Sequence, residues 1–249
     1  DEQKGMIEAA VASNGYDAIV IAALDSAAAE AALNGIDIPV VSVDRRLNCP
    51  ESRCFIGTDN ENAAHNGALK AVEIAGNRGW DEIKAVDISG IKGVEVHEQR
   101  IAGFAKGTEE GGGTFLYEAQ QYGDSSMDKA SSCMEAIMNK YPEGIAIVYC
   151  NNDDMAMAAA LAAKGNPAYE KTVFCGFDGI SSACKAIMED RETISVAQDP
   201  YEMGYMACDS AYELIMGNKV ESYINPGPNI ITKENAEAHY NYIKVCLEK

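Results

Sequence analysis

A series of short apolar runs, each bounded by polar residues or glycine, constrains this chain more than any other feature. The runs are 18–23 (Ala-Ile-Val-Ile-Ala-Ala), Val40–Val43, Ala85–Ser89, Ile145–Tyr149, Val173–Gly176 and Thr193–Ala197. Runs this short read as strands buried on both faces. Helical patterns lie between them. In Asp128–Lys140 the apolar residues Ala130, Cys133, Met134, Ile137 and Met138 form one stripe, and Tyr141-Pro142 ends it. Ser26–Leu33, Glu61–Ala75 and Asp153–Ala163 read the same way. Strand–helix alternation of this kind predicts parallel sheets built from right-handed βαβ units, an α/β fold.

Composition narrows the partners. Thirty-nine acidic against twenty basic residues give a formal charge of −19, which repels nucleic acid and anionic membrane surfaces alike. No apolar run reaches the length of a membrane span. The 249 residues suit one large domain or two medium ones. The eight cysteines are scattered, without a CxxC pair, so neither a zinc ribbon nor a thioredoxin motif is present. Cys133, Cys175 and Cys208 read as buried thiols, and the loop Cys49–Cys54 could close a short disulfide. His65, His97 and His239 lack metal-ligand spacing, and no phosphate-binding glycine loop or nucleophile elbow occurs. No catalytic residue, cofactor or metal is expected.

The stretch Asn151-Asn152-Asp153-Asp154-Met155-Ala156-Met157 follows the Ile145–Tyr149 run and opens an alanine-rich helix. Ligands of α/β sheets bind at the carboxyl ends of strands. Amides and carboxylates gathered there can hold a polar, uncharged ligand by hydrogen bonds. That favours a binding protein for a polyhydroxylated small molecule over an enzyme.

The chain also resembles a known family. Ile38-Pro39-Val40-Val41-Ser42-Val43-Asp44-Arg45, Phe55-Ile56-Gly57-Thr58-Asp59-Asn60, Arg100-Ile101-Ala102-Gly103-Phe104, Asn151–Met157, Gly176-Phe177-Asp178-Gly179 and Ala197-Gln198-Asp199-Pro200 occur in the order and spacing of the type I periplasmic binding proteins, the ribose-, galactose- and allose-binding receptors of sugar ABC transporters. Asp17–Ile21 with Asp25-Ser26 is similar to that family's third strand and its exit loop. The resemblance implies two three-layer, doubly wound domains, 1–58 plus 199–225 and 59–198 plus 226–249, with a hinge and a ligand cleft between them. It implies a monomeric periplasmic or extracellular receptor, with a lipid anchor as one option for membrane attachment, that closes on a sugar or polyol and docks on a membrane permease. It also implies a longer functional protein, because the family's opening strand–helix–strand has no counterpart here.

Carried over from the family, Asp44 and Arg45 grip vicinal hydroxyls, Arg100 donates to ring or hydroxyl oxygens, Asn152 donates and accepts, Asp178 accepts hydroxyl protons, and Gln198 binds at a hinge crossing. Asn151, Asp153 and Asp154 read as helix caps, Arg46 as solvent-facing, and Trp80 as a turn residue. His97 is a candidate to line the cleft. One departure stands out: Gly123-Asp124 is followed by Ser125-Ser126, where many relatives carry a stacking aromatic, leaving Tyr122 as the nearest substitute. Competing readings remain, a sensor-kinase ectodomain or chemoreceptor partner among them. A two-carboxylate hydrolase would use Asp44 and Asp178, but its general acid needs an apolar pocket. The effector domain of a LacI-type sugar-responsive repressor would share the fold and many motifs.

Overall fold

The computed structural model describes residues 2–247. They fall into two compact units. One takes the residues up to Thr58 together with Asp199–Gly227, and the other takes Asp59–Gln198 together with the residues from Pro228 onward.

In the first unit the elements are α1 (Glu2–Ser13), β1 (Ile19–Ile21), α2 (Ser26–Leu33), β2 (Val40–Val43), β3 (Ser52–Ile56), α8 (Pro200–Ile215) and β10 (Tyr223–Ile224). The sheet order is β1-β2-β3-β10, and every pair is parallel. Alternation along β2 shows how both faces are covered. Val40 packs with Ile7, Leu33 and Leu47 on the side of α1 and α2, while Val41 packs with Cys54, Ile56, Met203 and Ala207 on the side of α8. The two thiols suggested as a disulfide belong to these opposite faces: Cys54 lies in the α8 cluster and Cys49 against the α1–α2 cluster. All eight cysteines are free. Cys208, read as buried, is exposed on α8, whose sheet-facing stripe is Met203, Ala207 and Ala211 instead.

The second unit contains α3 (Asn60–Asn77), β4 (Lys84–Ser89), α4 (Glu95–Glu110), β5 (Thr114–Phe115), β6 (Gln121–Tyr122), α5 (Met127–Lys140), β7 (Ile147–Cys150), α6 (Asp153–Ala163), β8 (Val173–Asp178), α7 (Ser181–Met188), β9 (Ile194–Ala197), β11 (Asn229–Ile231) and α9 (Ala236–Cys246). The sheet order is β11-β9-β8-β7-β4-β5, with β6 also on β4. Only β11 runs antiparallel among these pairings. Helices α3 and α4 cover one face around Phe104, Tyr149 and Phe177. Helices α5 and α6 cover the other around Met134, Ile137 and Met155.

Glycine spacing sets the α3–α4 approach. A Cβ at Gly103 would lie 2.0 Å from the Glu61 carbonyl oxygen, and one at Gly107 would lie 2.3 Å from that of His65. Four residues apart, the two glycines share one helix face, so α4 packs backbone to backbone on α3. Among the described residues no helix is long and apolar enough to cross a membrane.

Candidate functional site

Strand exits and helix starts converge at the carboxyl edge of each sheet. Side-chain caps fix the helix starts there: Asp25 accepts from Ala28 N at 3.0 Å, Asp59 from Asn62 N at 3.1 Å, Asn152 from Met155 N at 2.9 Å and Asp199 from Glu202 N at 3.0 Å.

In the second unit, Arg100 projects from the first turns of α4 and is 6% exposed. Its Nε donates to Asn60 Oδ1 at 2.8 Å, and its Nη1 donates to the Asn151 carbonyl at 2.7 Å and faces Asp178 Oδ1 at 3.4 Å. The guanidinium lies over the Phe177 ring, 3.6 Å from the centroid. Gln198 Nε2 donates to the same Asp178 oxygen at 2.8 Å, and the Gln198 amide donates to the Asp178 carbonyl at 3.1 Å. Three of the expected residues, Arg100, Asp178 and Gln198, therefore form one network at the ends of β8 and β9. Asp178 holds a φ of +114°, a value that an L residue adopts only when its surroundings enforce it. Its side chain keeps a third of its surface open.

Asn152 stands at the exit of β7 but differs from the expectation for its neighbours. The cap of α6 is Asn152, not Asn151, Asp153 or Asp154. It is the last extended residue, with φ −148° and ψ 166°, so its Oδ1 alone reaches the Met155 amide. That leaves its Nδ2 as the donor end. Asn151 is buried and places its Nδ2 3.4 Å from Asp87 Oδ1. Asp153 turns into the core. Burial pushes the carboxyls of Asp87 and Asp153 well above the ordinary carboxylate range.

In the first unit, Asp44 and Arg45 follow β2 and are exposed. Asp44 sits at φ +63°, its amide bonded to the Ile56 carbonyl at 2.9 Å. Arg45 Nη1 donates to the Leu24 carbonyl at 2.6 Å, tying the β2 exit to the β1 exit. Arg46, read as merely solvent-facing, lays its guanidinium over Phe55 at 4.4 Å and Tyr223 at 5.4 Å, because those two rings stack beside it.

The remaining candidates have local roles. His97 Nδ1 accepts from the Ile91 amide at 2.8 Å and so closes the loop before α4. Trp80 donates to the Lys171 carbonyl at 3.0 Å and packs on the α3–α4 core. Tyr122 lies at the end of β6 with Lys92 Nζ 5.6 Å from its ring centre. Sequence reading assigned no role to Asn60 or Phe177, although both stand inside the quoted motifs. Their signal was position: Asn60 opens α3, and Phe177 is one residue before Asp178 on the opposite face of β8.

Residues 1–219 match the family described as "Periplasmic binding protein domain". The chain belongs to the periplasmic binding protein family. The ribose import binding protein RbsB of Bacillus subtilis is 28% identical over 214 residues, 85% of this chain, and the matched part is 67% of that relative, so the chain spans about two thirds of its length. A periplasmic solute-binding protein of Actinobacillus succinogenes, solved with bound D-allose, superposes with a TM-score of 0.83 at 24% identity, over 95% of this chain and 85% of that one. A likeness of that identity speaks for the fold. A probable transcriptional repressor of Bacillus subtilis, ExuR, is 27% identical over 146 residues, 58% of this chain and 41% of that protein.

Proposed function

We propose that this chain is the ligand-binding part of an extracytoplasmic sugar receptor of an ABC transporter. The Arg100–Asp178–Gln198 network carries the reading: a fixed cation and an amide that both meet one oxygen of a partly open carboxylate at a strand edge. Such a set offers both donors and acceptors to sugar hydroxyls. Each of the three side chains is already held by a protein partner, which lowers the ordering cost of binding. Asn152 supplies a further amide N–H. Asp44 and Arg45 serve as the grip contributed by the first unit. The ligand then bridges both units, shifts the population towards a closed form, and a membrane permease reads that form. The protein works as a monomer and binds rather than catalyses.

The network is polar and opens at Asp178, whose side chain keeps a third of its surface exposed, so the ligand class is a neutral monosaccharide or polyol. A thermal-shift and calorimetry screen with D-ribose, D-allose, D-galactose, myo-inositol and amino-acid controls tests this. A ligand present at a hundredfold its Kd stabilises the folded state by about 2.7 kcal/mol, readable as a melting shift of several degrees. A shift with amino acids and none with any sugar or polyol would sink the reading. Fractionation of the source cells separates a receptor from a repressor effector domain: the receptor is outside the cytoplasm, the repressor is on DNA within it.

A further inference from the structure

Two carboxyl groups meet in the core of the second unit, beneath the turn that carries Asp178. Asp153 is fully buried at the start of α6, and Glu192, in the segment before β9, is 3% exposed. Both reach the same point over β8. A Cβ built at Gly176 would lie 2.3 Å from Asp153 Oδ1 and 2.4 Å from Glu192 Oε1. The glycine is thus what makes room for the pair, and the two carboxyls lie within hydrogen-bonding reach of each other.

Their other partners differ. Asp153 Oδ1 accepts from Ser195 Oγ at 2.6 Å, and its Oδ2 accepts from the Ile180 amide at 2.9 Å. Ser195 Oγ in turn accepts from the Gly179 amide at 3.0 Å. Neither oxygen of Glu192 has a donor from any other described residue. Two buried anions cannot share such a point, so one carboxyl stays protonated. The donors already facing Asp153 place the negative charge there and the proton on Glu192.

We propose that Glu192 and Asp153 share one proton and that this acid pair is a positioning device, holding the Gly179-Ile180 backbone so that Asp178 keeps its outward, strained presentation. The ligand role of Asp178 rests on the function proposed above; the acid pair itself does not. Burial, and then the nearby Asp153 charge, push the Glu192 carboxyl well above the ordinary carboxylate range. The groups facing Glu192 are Asp153 and Asp154 of α6, Cys150 of β7, Cys175 of β8, Cys184 of α7 and its neighbour Arg191. Arg191 is the one cation of that set, and its Nε is engaged by Glu189 at 2.8 Å.

Two measurements on the ligand-free protein decide it. The first counts the protons released on unfolding at neutral pH, by calorimetry in buffers of different ionisation enthalpy. Glu192→Gln, which keeps a donor towards Asp153, must release one proton fewer than the wild type; an unchanged count overturns the shared proton. The second is amide exchange at Gly179 and Ile180. Asp153→Asn must accelerate exchange at those two amides at least tenfold while Glu192→Gln leaves them protected; equal protection in Asp153→Asn overturns the positioning role. If Asp153→Asn does not fold, Ser195→Ala provides the same reading at Gly179. Should no sugar of the screen shift the wild-type melt, the reading of Asp178 as a ligand residue fails while both of these results still stand or fall alone.

Discussion

Replacing Arg100 by lysine separates a structural arginine from a ligand-binding one. The charge is kept, so any loss reports on the planar fork. A lysine ammonium can occupy the Nη1 position, near the Asn151 carbonyl and Asp178, but cannot also supply the Nε donor that meets Asn60 Oδ1 at 2.8 Å. Losing a hydrogen bond from a charged donor costs about 1.5–3 kcal/mol. Exchanging the flat contact over Phe177, at 3.6 Å, for a compact ammonium removes about 0.5–1 kcal/mol more. The sum, roughly 2–4 kcal/mol, corresponds to a fall in Tm of about 5–15 °C for a unit of this size. Calorimetric melting of the ligand-free protein measures it. A Tm within a degree of wild type would refute the reasoning, because the fork would then carry no stability. The same variant titrated with the best sugar of the screen answers the second question. A further loss of affinity of tenfold or more places Arg100 on the ligand. Unchanged affinity in a destabilised variant makes it a core arginine that only positions Asp178.

Other substitutions test separate steps. Asp178→Gly relieves the φ of +114°, a strain of about 1–3 kcal/mol, while removing the carboxylate; stability by denaturant titration stays within about 1 kcal/mol of wild type. Its sugar affinity falls by roughly a hundredfold or more, two charge-assisted hydrogen bonds at about 1.5–3 kcal/mol each, and retained affinity would take Asp178 out of the site. Gly103→Ala forces a methyl to 2.0 Å from the Glu61 carbonyl and destabilises by about 2 kcal/mol despite better helix propensity, whereas Gly5→Ala in α1, with nothing within 4 Å, stabilises by about 0.5–1 kcal/mol. Equal effects at the two glycines would contradict the close α3–α4 approach. The pH dependence follows from buried acids. Asp87 and Glu192 keep protons in the folded state that the unfolded chain releases above about pH 4. The unfolded state then binds fewer protons, so stability falls as pH rises, by about 1.4 kcal/mol per pH unit for each proton held, until the folded group ionises as well. Exposed carboxylates with lowered values, such as Glu82 and Glu110, give the opposite slope only in the acid range where they titrate. Denaturant titrations from about pH 5 to 7 that stay flat or rise would show that neither acid is held neutral.

The parallel-sheet core was legible because the strands are short, apolar and buried on both faces. β8, Val173–Asp178, is buried along nearly its whole length, and its first four residues, Val173–Gly176, were read directly. What sequence patterns missed has a common cause. β3, Ser-Arg-Cys-Phe-Ile, carries Ser52 and Arg53 at its solvent-facing start, so its apolar run is too short to register. α8 exposes Tyr201, Tyr205 and Tyr212 and buries, apart from Met203, only the small residues Ala207, Ser210 and Ala211, which inverts the pattern that usually marks a helix face.

The site divides in the same way. Arg100, Asp178 and Gln198 were named from sequence motifs, and the second unit brings them into one network. The supporting residues carry no comparable signal, since their role depends on which atoms they face. Asp153 and Asn152 are adjacent and both are cap-forming types. Only the direction of the chain leaving β7 decides that Asn152 caps α6 while Asp153 enters the core to bond Ser195 and Ile180. Glu192 is harder still, since in sequence it stands between Arg191 and Thr193 like any surface glutamate. It is buried because Gly176, sixteen positions away, leaves a hollow that any other residue would fill. A glycine in mid-strand weakens a sheet unless something approaches its backbone closely. Here the approach is that of two carboxyl groups, and Gly176→Ala should therefore disturb the Asp178 turn through them, without altering the side chains of the proposed ligand residues Arg100, Asp178 and Gln198.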